Sequence, residues 1–244
     1  MRVALCLSGE PRFFKETYPN IKRHLIDPFN SDVFLHTWRT PEDYTVKYSS
    51  KDYNQGWNGF KLNIQACDDV CKLYGATSHY IDNSKDFFQD VDTDEMYRRY
   101  FNYYTSEFKQ INLRGSLCMF YSILKSNLLK REFELINRFQ YDWVIRCRFD
   151  LLINQTPDLA NLDNSKVYYE EMGQPDNMVS DWFNFGSSDN MNVYSSVFPL
   201  WKNLIDRQLK RHGRWCNELL IKEILDTFEI GYSPVRLGLA LPRL

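Results

Sequence analysis

The chain opens with an apolar run, Val3 to Leu7, that stops abruptly at Ser8-Gly9-Glu10-Pro11, the pattern of a buried strand breaking into a loop. Tyr18 to Leu25 then shows helical spacing and halts at Asp27-Pro28, and Asp32-Val-Phe-Leu-His-Thr-Trp38 reads as a second buried strand. Connections this short predict two parallel neighbouring strands with the helix crossing over them. From Arg39 to about Phe60 the chain is polar, with Tyr44, Tyr48, Tyr53 and Trp57 scattered without period, and a long loop is expected there. Leu62 to Tyr74 reads as a helix, His79 to Ile81 as a short strand, and Asp82 to Asp94 as acidic and irregular.

The clearest periodicity runs from Ser116 to Phe139, where Leu117, Phe120, Tyr121, Leu124, Leu128, Leu135, Ile136 and Phe139 follow the i, i+3, i+4, i+7 template of a helix. A turn at Gln140-Tyr141-Asp142 leads into Trp143 to Ile153, an apolar-rich strand that carries three charges. Beyond it come a turn-rich stretch (Asn154 to Ser165), a short strand (Val167 to Tyr169), a loop (Gly173 to Ser180) and the segment Asp181-Trp-Phe-Asn-Phe-Gly186. Two helices are expected, Met191 to Trp201 extending towards Leu209 and Asn217 to Phe228, then a last strand near Tyr232 to Leu239. The alternation of strands and helices predicts an α/β fold with a Rossmann-like, mostly parallel central sheet flanked by helices.

At 244 residues the chain fits one large α/β domain, because single cores stop growing at roughly 250 to 300 residues. A net charge of −2 gives no global field that favours a polyanion, which disfavours nucleic acid and anionic membrane as partners. The N-terminal apolar run is far shorter than a signal sequence, and no stretch approaches the ~20 apolar residues of a membrane span, so a cytoplasmic protein is expected. The six cysteines lack C-x-x-C spacing and read as free thiols, although Cys67 and Cys71, four apart on an expected helix, could pair or bind a metal. Aromatic residues reach 16%, which suits a thick core and also a sugar-binding cleft.

Arg146, Arg148 and Asp150 fall at i, i+2 and i+4 of an expected strand and so should share one face, with Ile145, Cys147 and Phe149 on the other. Burying unpaired charge costs several kcal/mol, so that face must meet counter-charges or a ligand. It offers a carboxylate to a hard cation and guanidinium forks to phosphate, or else an internal ion-pair network. Ser8, Gly9 and Arg12 follow the first strand, at the edge where open parallel sheets bind nucleotides. The stretch matches neither G-x-G-x-x-G nor a phosphate-binding P-loop. His36 and Trp38 project from the end of the second strand. Asp181 could be an acceptor-side base, a metal ligand or a turn former, and Glu218 could be a base or an acid that favours a helix N-terminus. His212, in the basic stretch Lys210 to Arg214, is either a solvated turn or a diphosphate clamp. With only four histidines and no G-x-S-x-G, a hydrolase triad gains no support.

The order of these parts resembles a group of GT-A glycosyltransferases of bacteria and large DNA viruses. The likeness rests on Leu7-Ser-Gly-Glu-Pro-Arg12, Asp32 to Trp38, Tyr141 to Asp150, Asp181 to Gly186 and Asn217-Glu218-Leu219-Leu220. It implies one GT-A domain over 1–244, with 1–150 binding a nucleotide sugar and 151–244 facing a carbohydrate acceptor. In such enzymes an Asp-x-Asp-like motif holds Mn²⁺ or Mg²⁺ against the donor diphosphate; the matching stretch is Arg148-Phe149-Asp150, with Arg148 in place of the first Asp. The resemblance assigns Asp150 to the metal and Ser8, Gly9, Arg12, Arg146 and Arg148 to the donor side, to which His36 is added from its place at the end of the second strand; for an inverting reaction Asp181, narrowly ahead of Glu218, is expected as the catalytic base. Two other readings compete: a non-catalytic glycan- or nucleotide-binding module, and a sugar nucleotidyltransferase, whose Gly-rich signature Leu7 to Arg12 lacks.

Overall fold

Strand β1 (Val3–Gly9) and strand β2 (Asp32–Arg39) are apolar almost throughout because both faces of the sheet are covered. Their alternation sorts side chains by face. Ala4, Cys6 and Phe34 enter one core cluster, and Val3, Leu5, Leu7, Val33 and Leu35 enter the other. A computed structural model describes residues 1–39, 44–46, 60–62, 65–83, 86–87, 113–171, 173 and 178–242, with only the backbone of 44–46, 60–62 and 113–114. In chain order its elements are β1, α1 (Phe14–Ile21) with a π-helical turn (Lys22–Ile26), β2, β3 (Tyr44–Val46), β4 (Phe60–Leu62), α2 (Ala66–Leu73) and β5 (Ser78–Asn83). There follow α3 (Leu113–Asn137), β6 (Trp143–Cys147), β7 (Val167–Glu170), β8 (Phe183–Gly186), α4 (Ser188–Tyr194), α5 (Val197–His212), α6 (Asn217–Thr227) and β9 (Tyr232–Val235).

The fold is α/β, with a seven-stranded, mostly parallel mixed sheet in the order β5-β2-β1-β6-β8-β7-β9. β8 runs antiparallel to both β6 and β7, and the other pairings are parallel. From β1 the chain crosses to β2 on one side and later returns to β6 on the other. The carboxyl ends of β1 and β6 therefore flank a topological switch point, the crevice where open α/β sheets take up ligands. The sheet continues across residue 150 through β8, β7 and β9, so the two expected halves share one scaffold. Among the described residues no helix is long and apolar enough to cross a membrane.

Several expected boundaries move, each for a local reason. The first helix begins at Phe14, earlier than the apolar spacing suggests, because Phe13 takes a left-handed conformation (φ 53°) that turns the chain straight out of the β1 loop. The expected loop from Arg39 to Phe60 contains β3, which pairs antiparallel with β4, so Leu62 lies in a strand and α2 starts only at Ala66. The expected helix from Met191 to Leu209 is two helices, α4 and α5, separated at Ser195 and Ser196. Lys210, Arg211 and His212 form the last turn of α5, where cations complement the helix dipole, and are not a loop.

The most consequential difference concerns β6, which ends at Cys147 and does not reach Ile153. The following stretch is held by other elements. The Thr17 hydroxyl reaches the Phe149 carbonyl (2.5 Å), and the Asn20 amide brackets Ile153, accepting from its N–H (2.7 Å) and donating to its carbonyl (3.0 Å). Leu152 forms an antiparallel bridge with Ala240 (2.8 and 2.9 Å). The stretch after β9 is fixed in turn by buried Glu170, whose carboxylate accepts the N–H groups of Leu237, Gly238 and Leu239 (2.7, 2.9 and 3.3 Å).

Candidate anion-binding site at the sheet switch point

Arg146, one residue before the end of β6, lies on the same sheet face as Ala4 and Cys6, beside Cys6 in register and opposite Asn184 of β8. Its guanidinium donates from Nε to the Ser8 hydroxyl (3.3 Å) and from Nη1 to the Asp181 carbonyl. Arg146 is 2% exposed, yet among the described residues no carboxylate forms an ion pair with it. Its contacts are a hydroxyl and a carbonyl, both neutral. A buried cation met only by neutral acceptors carries a desolvation cost of several kcal/mol that an anionic ligand would relieve.

Because β6 ends at Cys147, Arg148 and Asp150 lie in a turn and not on the strand face expected for them. Their two-residue separation lets the Arg148 side chain fold back on its neighbour, with Nε to Oδ1 and Nη2 to Oδ2 both at 2.8 Å. Arg12, from the loop after β1, adds Nη2 to Asp150 Oδ2 at 3.2 Å. Burial pushes the Asp150 carboxyl up, but Arg148 and Arg12 more than offset it and hold it below the usual carboxylate range. Glu10 sits 3.8 Å from Arg12, its carboxyl raised by burial against the pull of Arg12. Gly9 bends the chain here with φ 119°, a conformation that favours glycine, and its carbonyl accepts from Thr37 (2.9 Å).

The acceptor-side candidates come to the same edge by a different route. Asp181 directly precedes β8, and Glu218 lies in the first turn of α6. Asn217 donates to Asp181 Oδ2 (3.2 Å), and the Glu218 carbonyl accepts from Val179 N–H (3.4 Å). Burial and then the Asp181 charge push the Glu218 carboxyl up to about 7, so Glu218 is poised to take or release a proton near neutrality. Trp182, half-buried, lies under the Arg148 guanidinium at 5.0 Å, which links this pair to the Asp150 turn.

The structure thus brings together Ser8, Gly9, Arg12, Arg146, Arg148, Asp150, Asp181 and Glu218. His36 is not brought into the cluster: although it lies beside Ser8 in register, it is fully buried against α3. Its Nδ1 meets the Ser122 hydroxyl (2.5 Å) and its Nε2 the Asp82 carboxylate (3.0 Å), so both ring nitrogens are engaged. Burial holds it below its ordinary value despite Asp82, and the ring is neutral at neutral pH. Four polar residues of the site escaped the sequence reading. Glu10 and Asn217 were readable as polar neighbours of Arg12 and Glu218. Asn184 was legible as a lone polar residue in an apolar strand; it donates to Ser180 O (2.8 Å) and accepts from the buried hydroxyl of Tyr194 (2.7 Å). Tyr194 gave no signal, since a tyrosine in a helix is ordinarily core.

The donor set does not fit a resident divalent cation. Both oxygens of Asp150 accept guanidinium N–H groups, and a cation there would lie against two fixed positive charges. Among the described residues, no group of three or more His, Cys, Asp or Glu is placed to hold a metal ion, Cys67 and Cys71 included.

No protein-family model matches the chain, and comparison with curated proteins finds no match. The functional reading therefore rests on the geometry of this edge.

Proposed function

We propose that this protein is a nucleotide-sugar-dependent glycosyltransferase of the GT-A type, which moves a sugar from a nucleoside-diphosphate donor to a hydroxyl of a carbohydrate acceptor. The observation that carries the reading is Arg146, a buried cation without a carboxylate partner among the described residues, which joins Ser8 near the end of β1 to the backbone of Asp181. An anion belongs beside it, and a proton acceptor stands on its other side. In the displacement the acceptor oxygen bonds to the anomeric carbon as its proton passes to the Glu218 carboxylate. The bond from that carbon to the donor's phosphate oxygen breaks, and the electron pair leaves with the nucleoside diphosphate. The guanidinium groups then face charge that grows in the transition state, which is where electrostatic stabilisation accelerates a reaction. A base that titrates near the working pH suits a direct, inverting displacement, and Glu218 fits it better than Asp181, whose role is to hold the pair in register.

The bidentate Arg148–Asp150 pair favours a second reading, a binding module whose ion network has no turnover. Donor hydrolysis and transfer assays with UDP- and GDP-sugars, with calorimetry on UDP and GDP, separate the two. Turnover that disappears in Glu218→Gln while nucleotide still binds supports the transferase. Nucleotide or glycan binding without turnover in the native protein favours the module.

A further inference from the structure

We propose that guanidinium groups replace the divalent cation in this protein, so that the nucleoside-diphosphate group of the donor is bound, and its departure assisted, without a metal. The inference rests on the glycosyltransferase reading and deepens it. Its basis is a count of charge at the turn. A divalent cation on a lone carboxylate leaves a surplus of one positive charge. Here Arg12 and Arg148 both pair with one carboxylate, Asp150, which leaves the same surplus of one, while Arg146 is held by the neutral Ser8 hydroxyl and Asp181 carbonyl. The two arginines on Asp150 therefore match the surplus that a metal would leave.

Geometry supports the same assignment. Each oxygen of Asp150 already accepts a guanidinium N–H, so a cation that bound there would have to displace or repel Arg148 and Arg12. What Asp150 does offer is a fixed anchor that sets two arginines side by side, and fixed guanidinium forks match phosphate oxygens in pairs. The anchoring turn is immobilised by Thr17, Asn20 and the Leu152–Ala240 bridge, so Arg148 is held before the donor arrives. Such preorganisation is what makes donors aimed at a leaving group effective.

The test is calorimetry of the full chain with UDP and GDP, first in EDTA and then in millimolar Mn²⁺, followed by transfer assays under both conditions. The expected result is one nucleotide binding with Kd values within about threefold of each other, and transfer that survives EDTA. Binding weakened by EDTA by about tenfold or more, with transfer restored by Mn²⁺, overturns the inference and leaves the glycosyltransferase reading standing. Failure of both nucleotides to bind under either condition, with no donor hydrolysis, overturns both. Mn²⁺ alone, followed by its paramagnetic resonance signal, should show no saturable site in the free protein; a saturable site is a contrary result. Arg148→Asp restores an acid-x-acid pattern and should weaken metal-free binding about tenfold while making it Mn²⁺-dependent, with its thermal melt recorded alongside. If that variant is folded and still binds equally in EDTA, Arg148 has no part in the anion site and the inference falls.

Discussion

Two buried polar clusters flank the same sheet and differ in one respect. Between α3 and α4, Lys130 is fully buried and its ammonium contacts Glu134 (3.0 Å), Ser188 and Asn192 (3.0 Å), while Glu134 also accepts from Ser188 (2.7 Å) and from Tyr141 N–H (2.9 Å). One cation meets one anion, and the remaining hydrogen-bonding groups are neutral. At the switch point two guanidinium groups converge on the single carboxylate of Asp150, and Arg146 has only neutral acceptors. Burial of charge is common to both, so burial alone does not mark a site. Charge imbalance at a ligand-accepting edge does.

Breaking the balanced cluster gives the largest expected effect. Glu134→Leu leaves Lys130 buried without its anion and should cost about 3–5 kcal/mol in urea unfolding, and adding Lys130→Met should recover most of that loss. Donor binding in the double variant should be unchanged. Arg146→Met should have the opposite sign. Removing a buried cation without an anion should raise stability by about 1–4 kcal/mol while weakening donor binding by at least tenfold. Loss of stability in Arg146→Met would make the two clusters equivalent and remove the basis for a site.

A pH titration sharpens the contrast. The Glu218 carboxyl, raised from 4.5 to about 7, binds its proton more firmly in the folded chain than in the unfolded one. Stability should therefore fall as pH rises from about 4.5 to about 7, at no more than about 1.4 kcal/mol per pH unit, while the transfer rate rises over the upper part of that window. Glu218→Gln should flatten both profiles, measured as melting curves and as kcat against pH. The smallest effect belongs to His36. As a neutral ring inside a satisfied network, its replacement by glutamine should cost about 1 kcal/mol and leave nucleotide binding intact.

The chemistry at the switch point was legible in the chain to the extent that it depends on strand order. The apolar run to Leu7 and the break at Ser8-Gly9 foretold a loop at the ligand edge, and three charges after Trp143 foretold a polar feature on a buried strand. The alternation rule misplaced Arg148 and Asp150 because it assumes that the strand continues. Whether a strand ends is decided by distant partners, here Thr17, Asn20 and Ala240, which no local pattern discloses. His36 failed as a candidate for a related reason. Sequence alternation placed it on the correct face, but Ser122, 86 residues later on α3, occupies that face opposite it. The pairing of Asp181 with Glu218 likewise required α6 to return its first turn to the end of β8.

The bridge between Leu152 and Ala240 also orders events during synthesis. At roughly 5–20 residues per second, Asp150 leaves the ribosome several seconds before Ala240 is made, and through that interval the turn lacks its last fastening. The turn that carries Arg148 and Asp150 therefore waits on a residue 90 positions later before its last fastening can form.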